Sequence, residues 1–166
     1  SGSIEQINVT PVSRFTFILS KLVPYWIIGL FVLTIAMLVA RFVYDLTPVG
    51  SVGAIYLGAI LFILTISGFS LTIANFSDTM QQTMFVMFFF IMIFMLMSGL
   101  LTPIDSMPAW AQRFTLILPP RHFVEILRSV YLKGTSISEL WMAYSALGGF
   151  AIVFNILAAV TYKKRM

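Results

Sequence analysis

The amino-acid sequence predicts an all-α, polytopic membrane protein with four transmembrane helices, and its composition and charge spacing carry this prediction. Of its 166 residues, 60% are hydrophobic, only 10% are charged and none is cysteine. This composition excludes a disordered chain, which would be poor in apolar residues, and a disulfide-stabilised scaffold. The apolar runs are continuous and do not alternate with polar residues, which favours membrane helices over membrane strands.

The charged residues divide the chain into four long uncharged stretches. A charge at the centre of a spanning helix costs about 2.5–3.5 kcal/mol on insertion, and crossing the hydrocarbon core takes about 20 helical residues. We therefore place the transmembrane helices at Leu22–Tyr44, Val52–Ala74, Met84–Leu101 and Leu140–Tyr162. Residues 22–101 thus hold three spans, and residues 140–166 hold the last span and a basic tail.

Turn-forming residues separate these spans. Pro48 lies between the first two spans, and Ser77 or Asp78 is placed to cap the third. Gly99 and Pro103 follow the third span, where each can end a helix. An even number of spans puts both ends of the chain on one side, and the basic run 163–165 predicts that this side is the cytoplasm.

The N-terminal residues 1–21 have the pattern of an amphipathic cytoplasmic helix that leads into the first span. The apolar residues at helical spacing are Ile4, Ile7, Pro11, Phe15 and Ile18, and the charged residues lie on the remaining surface. Because basic residues follow the apolar ones and do not precede them, the segment is not a signal peptide.

The connection at residues 102–139 has too many charges for a span and too many apolar residues for a solvated loop. Pro108 is placed to start one short helix, and Pro119-Pro120 separates it from a second. The second helix carries apolar residues at helical spacing from Phe123 to Tyr131, and Gly134 ends it. These features predict a re-entrant or interfacial helical hairpin on the outer face.

Two patterns in the chain resemble the membrane permease subunits of ABC-2 type transporters. The first is Gly2-Ser3-Ile4-Glu5-Gln6-Ile7-Asn8-Val9-Thr10-Pro11, which is similar to the family pattern G-[ST]-x-E-x-[LI]-x-x-[ST]-P. The second runs from Pro103 through Met107-Pro108 and Pro119-Pro120 to His122, Phe123, Glu125 and Arg128, and is similar to the family's external hairpin. The resemblance covers nearly the whole chain and implies that it corresponds to the C-terminal part of a permease.

The resemblance implies two sets of functional residues. In the family the first pattern marks the coupling helix that docks on a separate ATPase, which here assigns ATPase coupling to Glu5, Gln6, Thr10, Pro11 and Arg14. The second pattern assigns the external hairpin to Pro103, Pro108, Pro119, Pro120, His122, Phe123, Glu125 and Arg128. The implied partners are an ABC ATPase subunit, a second permease copy or a paralogue, and membrane lipid.

The chain lacks the sequence motifs of an enzyme. It contains no Gly-Lys pair and hence no phosphate-binding P-loop, so it cannot hydrolyse ATP by itself. It also lacks an H-E-x-x-H motif and a cysteine nucleophile. We therefore expect no catalytic residue, no metal site and no cofactor in this chain, with ATP and Mg²⁺ on the partner subunit. Its basic residues form no patch, so we expect no nucleic-acid partner.

Three polar residues have a structural and a functional interpretation. His122, the only histidine, has no imidazole partner for a metal, and we favour a hydrogen bond within the hairpin. Arg41 is expected to reach the headgroups or pair with Asp45, and its alternative role is to contact anionic cargo. Asn155 lies in mid-span, and we favour a hydrogen bond between helices over contact with the substrate. Arg41 and Asn155 are thus candidates for a translocation path.

We expect the chain to be the permease subunit of an ATP-driven exporter that moves a hydrophobic or amphipathic, drug- or lipid-like substrate outward across the bacterial inner membrane. The alternative is a non-enzymatic membrane scaffold or assembly factor. The scaffold explains the four spans equally well, but it does not explain why the two sequence patterns occur together.

Overall fold

The computed structural model describes the backbone of residues 11–164 and the side chains of residues 20–162. Glu5, Gln6 and Thr10 lie outside the described residues, as do the side chains of Pro11 and Arg14. The helices are α1 (Pro11–Phe42), α2 (Val52–Phe76), α3 (Met80–Met97), α4 (Ala109–Thr115), α5 (Pro119–Arg128) and α6 (Trp141–Lys164). Short 3₁₀ turns at Ile104–Ser106 and Ser138–Leu140 and a π-helical turn at Ser129–Lys133 complete the described regular structure, which includes no strand.

In the part of the chain that the structure describes, four helical segments are long and apolar enough to cross a membrane, which confirms the predicted all-α class and the four predicted spans. They are Ser20–Phe42, Val52–Phe76, Met80–Met97 and Ser138–Tyr162. The first span continues a single helix that begins at Pro11, with Pro24 inside it.

The third span lies four residues earlier than Met84–Leu101, the range that its apolar residues predict. Thr79 caps α3, because its hydroxyl oxygen accepts the backbone N–H of Gln82 at 3.0 Å. The Gln82 side chain in turn accepts the backbone N–H of Asp78 at 2.9 Å. The prediction that Ser77 or Asp78 caps this helix is therefore wrong, since the polar first turn is part of the helix and is stabilised by reciprocal capping.

α2 and α6 form the core of the bundle, and they run in the same direction. Tyr144 near the start of α6 bonds Ala54 near the start of α2, while Asn75 near the end of α2 bonds Ala158 near the end of α6. α1 and α3 flank this pair and leave most of their apolar side chains exposed, as expected of surfaces that face lipid or other helices.

The connections lie at two ends of the bundle. The α1–α2 turn and residues 98–139 lie at the same end, since the backbone N–H of Gly50 donates to Val130 O at 2.9 Å. We call this end the hairpin end. The α2–α3 turn and the end of α6 lie at the opposite end. Since α1 starts there as well, both ends of the described chain lie on the same side of the bundle, as four spans require.

Candidate functional site

Residues 102–139, which we call the hairpin segment, include two short helices joined by the turn at residues 116–118. Pro108 directly precedes α4, and Pro119 and Pro120 occupy the first positions of α5. Proline is tolerated at these positions because the first N–H groups of a helix have no intrahelical acceptor. The structure thus confirms that Pro108 starts one helix and that the proline pair separates it from the next.

Side chains from α5 bond α4 and the turn that follows it. Nε2 of His122 lies 2.9 Å from the carbonyl oxygen of Leu116, and since a carbonyl only accepts, Nε2 carries the proton and donates it. Nη1 of Arg121 donates to Thr115 Oγ1 at 3.0 Å and to Gln112 O at 3.4 Å. His122 is buried, and its bond is the one that we favoured over a metal-binding role.

The apolar face of α5 packs on α2 and α6. The Phe123 ring stacks on Phe62 with centroids 4.9 Å apart and planes at 6°. Ile126 is fully buried and lies against Gly58. Phe62 is ten residues from the start of α2, which corresponds to about 15 Å of helical rise. The hairpin segment therefore contacts α2 well inside that helix, about 15 Å along it from its first residue.

Two further contacts fix the hairpin segment at its ends. Nη2 of Arg128 donates to Gly99 O at 3.0 Å, which joins α5 to the end of α3. Gly99 has a φ of +92°, a value that residues with a side chain rarely adopt. Beyond α5, the helix continues for one π-helical turn and ends at Gly134 with φ +65°, as predicted. Glu125 is exposed, and its side chain makes no hydrogen bond or ion pair of this kind with another described residue.

The π-helical turn packs on the α1–α2 turn. Besides the bond from Gly50, the backbone N–H of Val49 donates to Tyr131 O at 3.3 Å. Burial, and to a lesser degree the nearby Tyr56, raises the pKa of the Tyr131 phenol, so this side chain stays neutral at physiological pH. The hairpin segment is thus joined to three of the four spans and to the turn between two of them.

Below the hairpin segment, α2 and α6 are joined by polar side chains that donate to carbonyls of the other helix. The Thr65 hydroxyl donates to Leu147 O at 3.1 Å, and the Tyr144 hydroxyl donates to Ala54 O at 2.6 Å. Nδ2 of Asn75 donates to Ala158 O at 2.9 Å. Such bonds join transmembrane helices where no hydrophobic effect drives them together.

Asn155 belongs to the same set of bonds. Its Nδ2 donates to Leu64 O on α2 at 2.9 Å and to Ala151 O on its own helix at 2.7 Å. Both amide protons are therefore used, which supports its role in joining helices. Arg41 lies elsewhere, at the end of α1, where its Nη1 is 3.6 Å from Asp45 Oδ1 in an exposed pair. The structure does not bring these two candidates for a translocation path together.

Sequence reasoning missed Gly68, where the backbones of α2 and α6 approach each other closely. A Cβ at Gly68 would lie 2.8 Å from the backbone nitrogen of Asn155 and 2.8 Å from the carbonyl carbon of Phe154. A glycine within a transmembrane span is the signal that could have found it.

A cavity of about 520 Å³ between α1, α2 and α3 was also missed. Most of its lining is apolar, and it includes Tyr25, Trp26, Phe62 and Ile66. Trp26 Nε1 donates to Ser67 Oγ at 2.7 Å beside it. Its volume lies in the range of about 300–1,000 Å³ that is typical of small-molecule sites.

We expect Asn155→Leu to lower the stability of the folded protein by about 0.5–2 kcal/mol, because it removes the bond to Leu64 and leaves a carbonyl in an apolar setting. The fraction that remains folded after heating in detergent measures this loss. Ile156→Leu, a conservative change at the next and exposed residue, is the matched control. Equal stability of the two variants would contradict a helix-joining role for Asn155.

Comparison with known proteins gives a consistent result. Residues 1–160 match the profile of a family described as "ABC-2 family transporter protein". The chain is 33% identical over 140 residues to "Probable multidrug ABC transporter permease YbhR" of Escherichia coli (strain K12), covering 84% of this chain and 38% of that protein. It is 29% identical over 169 residues to the similarly described YbhS of the same strain, covering 99% of this chain and 44% of that protein. The chain thus spans less than half the length of these curated relatives, and no solved structure shows a significant match.

Proposed function

Because the chain belongs to the ABC-2 family of transporter proteins, we propose that it is a permease subunit of an ATP-driven exporter for hydrophobic or amphipathic, drug- or lipid-like cargo. The relatives YbhR and YbhS are described as probable multidrug ABC transporter permeases. The large apolar cavity between α1, α2 and α3 supports this class of cargo, since its lining offers few polar partners. The four spans make the chain a multi-pass membrane protein, and we place it in the bacterial inner membrane.

We propose that residues 1–21 dock on a separate ABC ATPase subunit, which holds ATP and Mg²⁺, and that α1 transmits the motion of that subunit. The single observation that carries this proposal is the continuity of α1 from Pro11 to Phe42. A helix of this length rises about 48 Å, more than the thickness of the hydrocarbon core. A displacement at residues 11–21 of the docking segment therefore reaches the hairpin end without crossing a loop.

The packing of α1 suits a moving element. α1 touches α2 through few side chains, among them Trp26 with Ser67 and Thr34 with Tyr56, whereas α2 and α6 are held by close backbone approach and repeated hydrogen bonds. Pro24 lacks a backbone N–H and so weakens the helix about one turn into the span. Tilting of α1 against a fixed α2–α6 pair is a shear or hinge motion of the kind that opens and closes membrane paths.

The hairpin segment acts in this proposal as the re-entrant outer part of the permease. Its contacts with Phe62 and Gly58 support entry into the bilayer from the outer face. Both ends of the described chain then lie in the cytoplasm, where the ATPase is. A second copy or a paralogue completes the path, and lipid covers the remaining exposed apolar faces.

Glu5→Arg in the full-length protein is expected to abolish export while membrane insertion stays normal, because it reverses the charge in the segment that docks on the ATPase. Uptake of a fluorescent apolar dye into inverted vesicles, or its export from cells, measures the loss. Glu139→Arg reverses the same charge at the hairpin end, where Glu139 is exposed, and is expected to keep export. Normal export by Glu5→Arg would contradict the docking role.

The alternative, a non-enzymatic scaffold or assembly factor, predicts a different set of partners. An exporter must hold a nucleotide-binding subunit. Mild extraction of the tagged full-length protein is therefore expected to bring down an ATPase in near-equal amount, with measurable ATP hydrolysis. Recovery of the intact protein without any ATPase would favour the scaffold.

A further inference from the structure

Two cavities at the hairpin end meet at the junction of α3 and α5. The first, which we call the basin, has a volume of about 260 Å³ and is lined by charged and polar groups beyond the end of α3. The second, which we call the slot, has a volume of about 270 Å³ and an almost entirely apolar lining along α3. Ser98 and Val124 line both cavities. A polar and an apolar cavity are thus next to each other at the level where a spanning helix ends.

The charges of the basin favour an anion. Arg121, Arg128 and Lys133 contribute three positive charges, and Asp105 and Glu125 contribute two negative ones. Within the part of the chain that the structure describes, no ion pair within 4.0 Å joins these five residues. The cations are therefore not directly neutralised by the carboxylates beside them.

The two arginines are held in place and still have donors to spare. Arg128 is held by Gly99 O through Nη2, and Arg121 is held by Thr115 Oγ1 and Gln112 O through Nη1. A guanidinium carries five N–H donors, so the other nitrogen atoms remain able to bond an oxyanion. Guanidinium groups fixed in this way match a phosphate geometrically and lose little entropy on binding it.

The slot continues from the basin toward the middle of the membrane. Its lining includes Met95, Phe94 and Ile91, which lie progressively further from Ser98 along α3. Seven helical residues between Ile91 and Ser98 correspond to about 10 Å of depth. Phe123 and Pro120 of α5 form the facing wall. A slot of this shape accepts the upper part of an acyl chain.

We infer that the basin and the slot together bind one anionic phospholipid, with its phosphate between Arg121, Arg128 and Lys133 and one acyl chain in the slot. The basin lies beyond the end of α3 and follows α5 and the π-helical turn from Arg121 to Lys133, and this turn packs on the α1–α2 turn at the hairpin end. Basic side chains near a membrane surface attract anionic headgroups. The slot shares Phe62 and Ile66 with the larger cavity that we assign to cargo, whereas the basin shares no lining residue with that cavity. The lipid site does not depend on ATP-driven export. It gives the hairpin segment a lipid ligand that ties α5 to α3.

The test uses the full-length protein in nanodiscs of phosphatidylcholine with a minor fraction of phosphatidylglycerol. Native mass spectrometry of the released protein counts the phosphatidylglycerol that stays bound. We expect Arg121→Gln/Lys133→Gln to weaken its retention about fivefold for each charge removed. Arg128 is kept, because it also holds Gly99. If the double variant does not fold, the exposed Lys133→Gln alone is expected to give the fivefold loss.

Matched controls separate this site from general attraction to the membrane. Arg113→Gln removes an exposed charge of the same hairpin segment outside the lining of both cavities and is expected to keep retention normal. An equal loss in Arg113→Gln would overturn the site, as would normal retention in the basin variants.

The slot is tested by filling it. Ile91→Trp is expected to displace the lipid, and Leu96→Trp, at an exposed residue of the same helix outside the slot lining, is expected to have no effect. Glycerol phosphate, which has the charge and no acyl chain, is expected to be a poor competitor. Full competition by glycerol phosphate, or normal retention in Ile91→Trp, would show that the basin acts without the slot and would overturn the proposal.

Discussion

Gly68→Ala is expected to destabilise the helix bundle by about 1–3 kcal/mol or more, although alanine is the better helix former. The new Cβ would lie 2.8 Å from two backbone atoms of α6, the nitrogen of Asn155 and the carbonyl carbon of Phe154. Backbone atoms cannot rotate away as a side chain can, so the two helices must separate. Separation lengthens the neighbouring bonds from Asn155 to Leu64 and from Thr72 to Phe154, and the loss is therefore shared by several contacts.

The chain contains its own control for this prediction. Gly148 lies on α6, and a Cβ there would meet nothing within 4 Å. Gly148→Ala is thus expected to be neutral or slightly stabilising. Thermal unfolding of the two variants in the same detergent measures the difference, and equal melting temperatures would mean that α2 and α6 do not pack as closely as the structure describes.

The sequence predicts the elements of this fold well because local signals define them. Long uncharged stretches set the four spans, while Pro108, Pro119 and Gly134 set the helices of the hairpin segment. The shift of α3 has an equally local cause. The first turn of α3 includes the polar residues Gln81, Gln82 and Thr83, so a span defined by its apolar residues begins after them. Gln82 also takes part in the capping of the helix.

The pairing of the helices could not be predicted in the same way. All four spans are strongly apolar, so hydrophobic periodicity does not say which face meets which helix. Thr65 and Thr72 each also bond the carbonyl four residues earlier in their own helix, a bond that threonine makes in many helices. Their bonds to α6 are therefore visible only in the structure, and so is the close approach of Gly68 to the α6 backbone.

For the candidate site residues too, the sequence predicts the kind of role but not the bonding partner. His122 and Asn155 could be assigned hydrogen bonds because a polar group in an apolar segment needs a partner. The partners themselves, Leu116 and Leu64, are backbone carbonyls that any residue could supply. Arg121, Arg128 and Lys133 recur near helical spacing along α5 and the π-helical turn that continues it, but only the structure shows that they meet the end of α3 in one basin.

Ile126→Ala is expected to release the hairpin segment from the spans and to lower stability by about 2–5 kcal/mol, the range for a truncated and fully buried aliphatic side chain. Ile126 is 0% exposed, and it lies between Gly58 of α2 and the core cluster that includes Val130 and Tyr144. Its loss leaves a cavity under α5. Limited proteolysis of the hairpin segment and thermal unfolding both report this change, and Ile117→Ala, at an exposed isoleucine of the same segment, is expected to alter neither.

A second substitution makes the prediction specific to the contact between Ile126 and Gly58. A Cβ at Gly58 would lie 3.1 Å from the Cδ1 of Ile126, so Gly58→Ala alone crowds a side chain that can shift and is expected to cost less than Gly68→Ala. In the Ile126→Ala background the same methyl group enters the vacated space and is expected to restore part of the lost stability. Neighbouring residues that share a cavity show non-additive effects. The double variant should therefore lose less unfolding free energy than the sum of the losses in the two single variants. Strict additivity would mean that α5 does not rest on α2 at this point, and the hairpin segment would then have no direct support from the central helix pair.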